Sequence, residues 1–260
     1  MNNTLSVRSC SAYEHLEPPA GSKEYARGLD LLQPAADRLN ALLGPNPPLD
    51  TADVVRIASM CGFDTTLRAD TGWSKWCRVL SRDEWEAAGY LADMARWYRV
   101  GEGSAFGHIM GAGWVNELLA RLRDRVPEDT TTVNRTLDGN PRTFPRGGNR
   151  LFVDFTHDNE MVEIMTALGV RKLRTKLPTS HIPTDEHTRN RFVLADLVPF
   201  GARWAVERVV CTMSEEDEER QGEPEGEQLH HSYAYPTKLR RPHRPKQPAK
   251  DRTYVRVLIK

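Results

Sequence analysis

Residues Leu151 to Met161 read LFVDFTHDNEM, and the fold turns on how this stretch is interpreted. The run LFVDF, rich in apolar and aromatic residues, predicts a strand. It stops at His157-Asp158-Asn159, and an amphipathic stretch follows that predicts a helix over Glu160 to Leu168. A strand feeding a helix through so short a turn points to an α/β fold. Ligands in such folds sit beyond the carboxyl ends of strands, where helix N-termini aim N–H groups at anions. In that place His157 would hydrogen-bond a phosphate oxygen, and a protonated Asp158 would give its proton to a departing alkoxide. The plainer alternative is that Asp158 or Thr156 caps the helix and His157 is an incidental polar residue.

Upstream the chain reads as helical. Tyr25 to Leu43 places Leu29, Leu32, Ala36, Leu39 and Leu43 at helical spacing and ends at Gly44-Pro45. Asp50-Thr51 caps a short helix, ADVVRIASM, before Cys61. Ser81 opens a helix through Trp97, with Asp83 and Glu84 where the dipole favours carboxylates. Its expected buried side is Trp85, Tyr90, Leu91, Met94 and Trp97-Tyr98. After the loop GEGS at 101–104, a further helix is expected from about Gly107 to Arg125. Its Gly107, Gly111 and Gly113 each cost about 1 kcal/mol against Ala in a helix, which implies close approach by another backbone. A phosphate-binding loop is the competing reading, but this GxxxGxG has neither a lysine nor a preceding strand.

Downstream, turn residues dominate Leu137 to Asn149, and two further strands are expected, Ala202 to Thr212 and Tyr254 to Lys260. Between them the composition shifts. Glu215 to Glu227 holds eight acidic residues and one basic, and Lys238 to Arg252 holds seven Lys/Arg against one Asp among prolines. Such a segment buries no core and reads as a disordered insertion over 214–252. The helical region then spans 1–130, with an α/β portion formed by 131–213 and 253–260.

The chain has 260 residues, 39% hydrophobic, with 36 basic and 36 acidic side chains balancing to zero. That balance gives no case for nucleic acid or an anionic membrane as partner. No stretch approaches the ~20 apolar residues needed to span a bilayer, and the N-terminus has no signal-peptide pattern. Cys10, Cys61, Cys77 and Cys211 are too widely spaced for a zinc pattern, leaving disulfides or buried thiols. The sequons at Asn2 and Asn134 tilt towards a secreted glycoprotein.

The string VDFTHDNEMVEIMTALG resembles the proton-donor motif of the fungal phytases, in the histidine acid phosphatase family. Other stretches follow that family in the same order: MCGFDT at 60–65, Trp76-Cys77, DEWEAAGYLADMARWY at 83–98, and GAGWVNELLARL at 111–122. NRTLDGNPRTFP at 134–145, VPFGARWAVERVVC at 198–211 and the terminal YVRVLI continue it. The resemblance implies an α/β phosphatase domain with a helical subdomain on its rim, a small phosphate ester such as phytate as substrate, secretion, and no metal or cofactor. It implies His157 as a phosphate contact, Asp158 as the general acid, and Arg96 as a second-phosphate contact on the pocket wall. A solvated helix charge is the alternative for Arg96. It also implies a Cys61–Cys77 disulfide, with Cys10 and Cys211 unpaired.

Two positions depart from the pattern. The acidic residue that often precedes the Met-Cys pair is Ser59 here. None of the eight histidines lies in the Arg-His-Gly-x-Arg-x-Pro context of the family nucleophile, which precedes every matched stretch. The expectation is therefore a C-terminal portion of such an enzyme, a fragment inactive by itself. The alternative is a non-catalytic binding or interaction protein derived from the family. A metal-dependent phosphohydrolase, which would need further His and Asp ligands on helices, is disfavoured.

Overall fold

The computed structural model describes residues 3–5, 10–44, 48–68, 72–148, 151–169, 176–184, 192–213 and 250–259. Ten helices are described: α1 (Ser11–Glu14), α2 (Ser22–Gly28), α3 (Gln33–Leu43), α4 (Thr51–Leu67), α5 (Arg82–Arg99), α6 (Gly107–Met110), α7 (Ala112–Arg123), α8 (Arg135–Asp138), α9 (Asp158–Leu168) and α10 (Leu194–Leu197). Two strands, β1 (Trp204–Met213) and β2 (Lys250–Ile259), complete the set. The chain divides into two units, Met1–Ala202 and Arg203–Lys260.

The first unit is built on α5. Ser81 caps it, accepting from the Glu84 amide while the Glu84 carboxylate accepts from the Ser81 amide. Arg38 of α3 then clamps the same carboxylate, with Nη2 2.6 Å from Oε2. The buried side of α5 is Ala87, Tyr90, Leu91, Asp93, Met94, Trp97 and Tyr98, as the spacing predicts, with Trp85 half-buried. Leu32, Ala35, Ala36 and Leu39 pack in the same core. Each fully buried Leu or Met there contributes about 1.5–3 kcal/mol.

Three helical expectations are corrected. Tyr25–Leu43 is not one helix but α2, a 3-10 turn at Leu29–Leu32, and α3. Pro34 in the first turn of α3 lacks an N–H and crowds the preceding turn, which tightens accordingly. The helix begun at Asp50 continues past Cys61 to Leu67, where the Cys61–Cys77 disulfide ties it to the following turn. Closing a loop of that size stabilises by about 3 kcal/mol in the chain-entropy treatment. The helix expected from Gly107 breaks at Gly111 into α6 and α7. Neither Cys10 nor Cys211 is in a disulfide.

The largest correction concerns LFVDF. Residues 151–157 belong to no strand, for no described residue offers them a ladder. Leu151, Val153 and Phe155 are 80%, 62% and 88% exposed. The alternate residues anchor the segment. Asp154 accepts from Trp114 Nε1 (3.0 Å) and Arg121 Nη1 (2.7 Å), and the Arg121 guanidinium lies 5.1 Å from the Phe152 ring. Period-2 patterning therefore sets which side chains turn inward even where no hydrogen-bonded neighbour makes the segment a strand.

The second unit is an antiparallel pair, β1 with β2, in a register from Trp204 opposite Ile259 to Cys211 opposite Arg252. Arg256 bridges to its cross-strand partner Glu207 at 2.5 Å. The strand expected from Tyr254 starts four residues earlier, at Lys250. The charged segment lies outside the described residues up to 249. No described helix is long and apolar enough to cross a membrane.

Candidate functional site

The site is the N-terminus of α9, and small residues on α6 and α7 place it. A Cβ at Gly111 would lie 2.3 Å from the Glu163 carbonyl oxygen, and one at Gly107 2.1 Å from the Gly101 carbonyl oxygen. Gly107 and Gly111 are packing positions against backbone, as their cost in a helix implied, whereas Gly113 faces the side chains of Val133, Thr131 and Thr4. His108 Nδ1 lies 2.9 Å from the Thr166 carbonyl oxygen, tying α6 to the last turn of α9. Gly169, at φ 62°, ends the helix.

His157 holds the N-cap position with extended backbone (φ −114°, ψ 176°) but makes no capping hydrogen bond. Its ring is 85% exposed, with Nδ1 3.9 Å from Glu160 Oε2. Neither candidate occupies the N-cap position: Thr156 Oγ1 is buried with no hydrogen-bond partner among the described residues, and Asp158 is the first helical residue, its carboxylate accepting from its own amide and that of Asn159. Asp158 also reaches across to α5. Arg96 Nη2 and Nε lie 2.6 and 3.1 Å from the same oxygen, Oδ2. Arg96 is therefore not a solvated helix charge.

Burial pushes the Asp158 carboxyl up, but the Arg96 hydrogen bonds and charge, with the amides of Asn159 and Asp158, outweigh it. The net direction is down, so the carboxylate is held ionised. One turn on, burial and the neighbouring Glu160 charge push Glu163 up to about 8, against a weaker pull from Arg99. Glu160 is equally buried, with Oε2 lacking a hydrogen-bond partner among the described residues. On α7, burial raises Glu117 to about 7 despite a hydrogen bond from Thr4 Oγ1 and the Arg121 charge.

The structure thus brings together His157, Asp158 and Arg96, all singled out in the sequence. Sequence reasoning missed the Arg96–Asp158 link, which joins residues 62 positions apart, and the buried pair Glu160 and Glu163. The signal for the pair was present as two acids in the otherwise apolar run of α9. A shallow hollow lined by Asn116, Leu119, Arg123 and Glu128 at the far end of α7 includes none of these residues.

Residues 1–258 match the family described as the histidine phosphatase superfamily, branch 2. Among curated relatives, Phytase A of Arthroderma benhamiae is 36% identical over 214 residues, covering 82% of this chain and 46% of its own length. Phytase A of Aspergillus oryzae is 36% identical over 218 residues (83% and 46%), and one from Aspergillus terreus is 37% identical over 214 (81% and 45%). The chain spans about half the length of the curated relatives it matches.

Proposed function

The chain belongs to branch 2 of the histidine phosphatase superfamily, and from that membership we propose that it carries the acid side of a phosphomonoester hydrolysis. A phosphate ester such as phytate is the substrate class, in keeping with the phytase relatives. His157, exposed at the N-cap of α9, donates to a phosphate oxygen. Asp158 protonates the leaving oxygen as the P–O bond breaks. Arg96 on α5 supplies positive charge at the same place. The attacking group is a histidine in an Arg-His-Gly-x-Arg-x-Pro setting, which none of the eight histidines here occupies. These 260 residues alone therefore turn over no phosphate ester, since loss of a covalent nucleophile costs ~10⁶ in rate in a well-studied enzyme. Secretion accompanies this reading.

The observation that carries it is the pairing of Arg96 with Asp158 at the N-terminus of α9, beside the exposed His157. A non-catalytic binding or interaction role is the second reading, favoured by the Arg96 pairing that holds Asp158 as a carboxylate, a form with no proton to give.

The test joins this chain to the nucleophile-bearing half of a fungal phytase and assays an alkyl and an activated aryl phosphate. Asp158→Asn should lower turnover of the alkyl ester about 10²-fold or more and spare the aryl ester, whose leaving group needs little protonation. Equal losses on both would remove Asp158 as the acid. Asp158-dependent turnover by the 260 residues alone would show that another residue is the nucleophile.

A further inference from the structure

A general acid must hold a proton, yet Asp158 sits under a guanidinium that favours its carboxylate. We propose that Arg96 is a latch: paired with Asp158 it holds that residue as a carboxylate, and an arriving phosphate group takes Arg96 and frees Asp158 to accept a proton. The inference rests on the reading of Asp158 as the acid and adds Arg96 as a positioning residue that ties protonation to substrate arrival.

Geometry carries it. Nε and Nη2 of Arg96 converge on one oxygen of Asp158 instead of spanning both. The parallel two-bond fork that arginine forms best is therefore unmade, and a phosphate with several oxygens offers it. The pair is also reachable, with side chains 26% and 43% exposed for Arg96 and Asp158. The groups that act on Asp158 are Arg96 from α5 and, from its own turn, the amides of Asp158 and Asn159. His157, beside it, turns towards Glu160 instead.

The balance is simple. Arg96 keeps its charge and moves to the phosphate, and Asp158 takes one proton from solvent. When the P–O bond breaks, the leaving oxygen takes that proton, and departure of phosphate lets Arg96 return. The anion that needs the acid thereby arms it.

The experiment uses the 260-residue chain with inorganic phosphate as probe, following the Asp158 carboxyl carbon by NMR from roughly pH 3 to 5.5. The second ionisation of inorganic phosphate, about one unit above the ~6 of a phosphomonoester, lies above that range. Saturating phosphate should raise the Asp158 midpoint by about one pH unit over chloride at equal ionic strength. Binding and protonation being linked, Asp158→Asn should bind phosphate about tenfold more tightly at pH 5.5. Arg96→Gln should raise the midpoint without phosphate and abolish the response to it, while Arg96→Lys retains part of the response. A midpoint that phosphate does not move, absence of phosphate binding, or an Asp158→Asn variant that binds no more tightly would each overturn the latch. These readouts need no turnover, so the latch and the acid role fail separately.

Discussion

Helices α5 and α9 meet at the Arg96–Asp158 contact but are held in place on different terms. α5 is two-sided: it buries Tyr90, Leu91, Met94, Trp97 and Tyr98 and leaves Asp83, Glu86 and Arg99 in solvent. Its one buried acid, Asp93, accepts from the Leu194 amide at 2.7 Å. α9 buries every residue from Glu160 to Thr166, two of them glutamates, and is pressed against the backbone at Gly111. The guanidinium of the pair is thus presented by a helix stabilised mainly by apolar burial. The carboxylate is presented by a helix that buries two acids, one of which, Glu163, burial and its neighbour push up to about 8.

The largest expected effect tests that contrast by pH. Glu163 is raised in the folded chain to about 8 from an ordinary value of 4.5. A raised carboxyl binds more protons folded than unfolded. Its stabilising contribution is full below the unfolded value and is lost as pH rises through the folded one. Stability by urea unfolding should therefore fall between pH 5 and 8.5, by up to about 4 kcal/mol from Glu163. Glu117, raised to about 7, adds in the same direction. Glu163→Gln should flatten most of this slope. A wild-type profile already flat would mean that Glu163 is not held neutral.

A smaller effect separates the glycines of the two regions. Gly111→Ala would set a Cβ 2.3 Å from the Glu163 carbonyl oxygen, and neither backbone yields cheaply. A loss of about 3 kcal/mol is expected, read as a lower urea midpoint. Gly89, on the exposed side of α5 with nothing within 4 Å of its would-be Cβ, should respond oppositely. Gly89→Ala should stabilise by about 0.5–1 kcal/mol. Losses at both positions would place α5 under constraints that its open face does not show.

The smallest effect compares the two helix starts. Ser81→Ala removes a reciprocal cap and should cost about 1 kcal/mol. His157→Ala at the start of α9 removes no capping bond and should change stability by less than about 0.5 kcal/mol. A large loss at His157 would assign it a structural role and weaken its reading as a phosphate contact.

Sequence by itself determined what depends on nearby residues. The Ser81 cap, the buried face of α5, the start of α4 at Asp50 and the presence of β1 follow from local hydrogen bonding and periodicity, which a short window contains. His157 and Asp158 were likewise visible as residues whose chemistry fits a phosphate site, and Arg96 and the Cys61–Cys77 bridge followed from family resemblance. Tertiary structure decided the rest. Whether LFVDF is a strand depends on a neighbouring backbone that no local pattern supplies, and among the described residues there is none. Whether Glu163 carries a charge depends on how deeply α9 is buried and on Glu160 beside it. Whether Arg96 faces solvent, a phosphate or Asp158 depends on bringing α5 to α9 across 62 residues. Propensity acts through the bonds of a few consecutive residues, whereas pairing, burial and protonation depend on side chains that only the folded chain brings within a few ångströms.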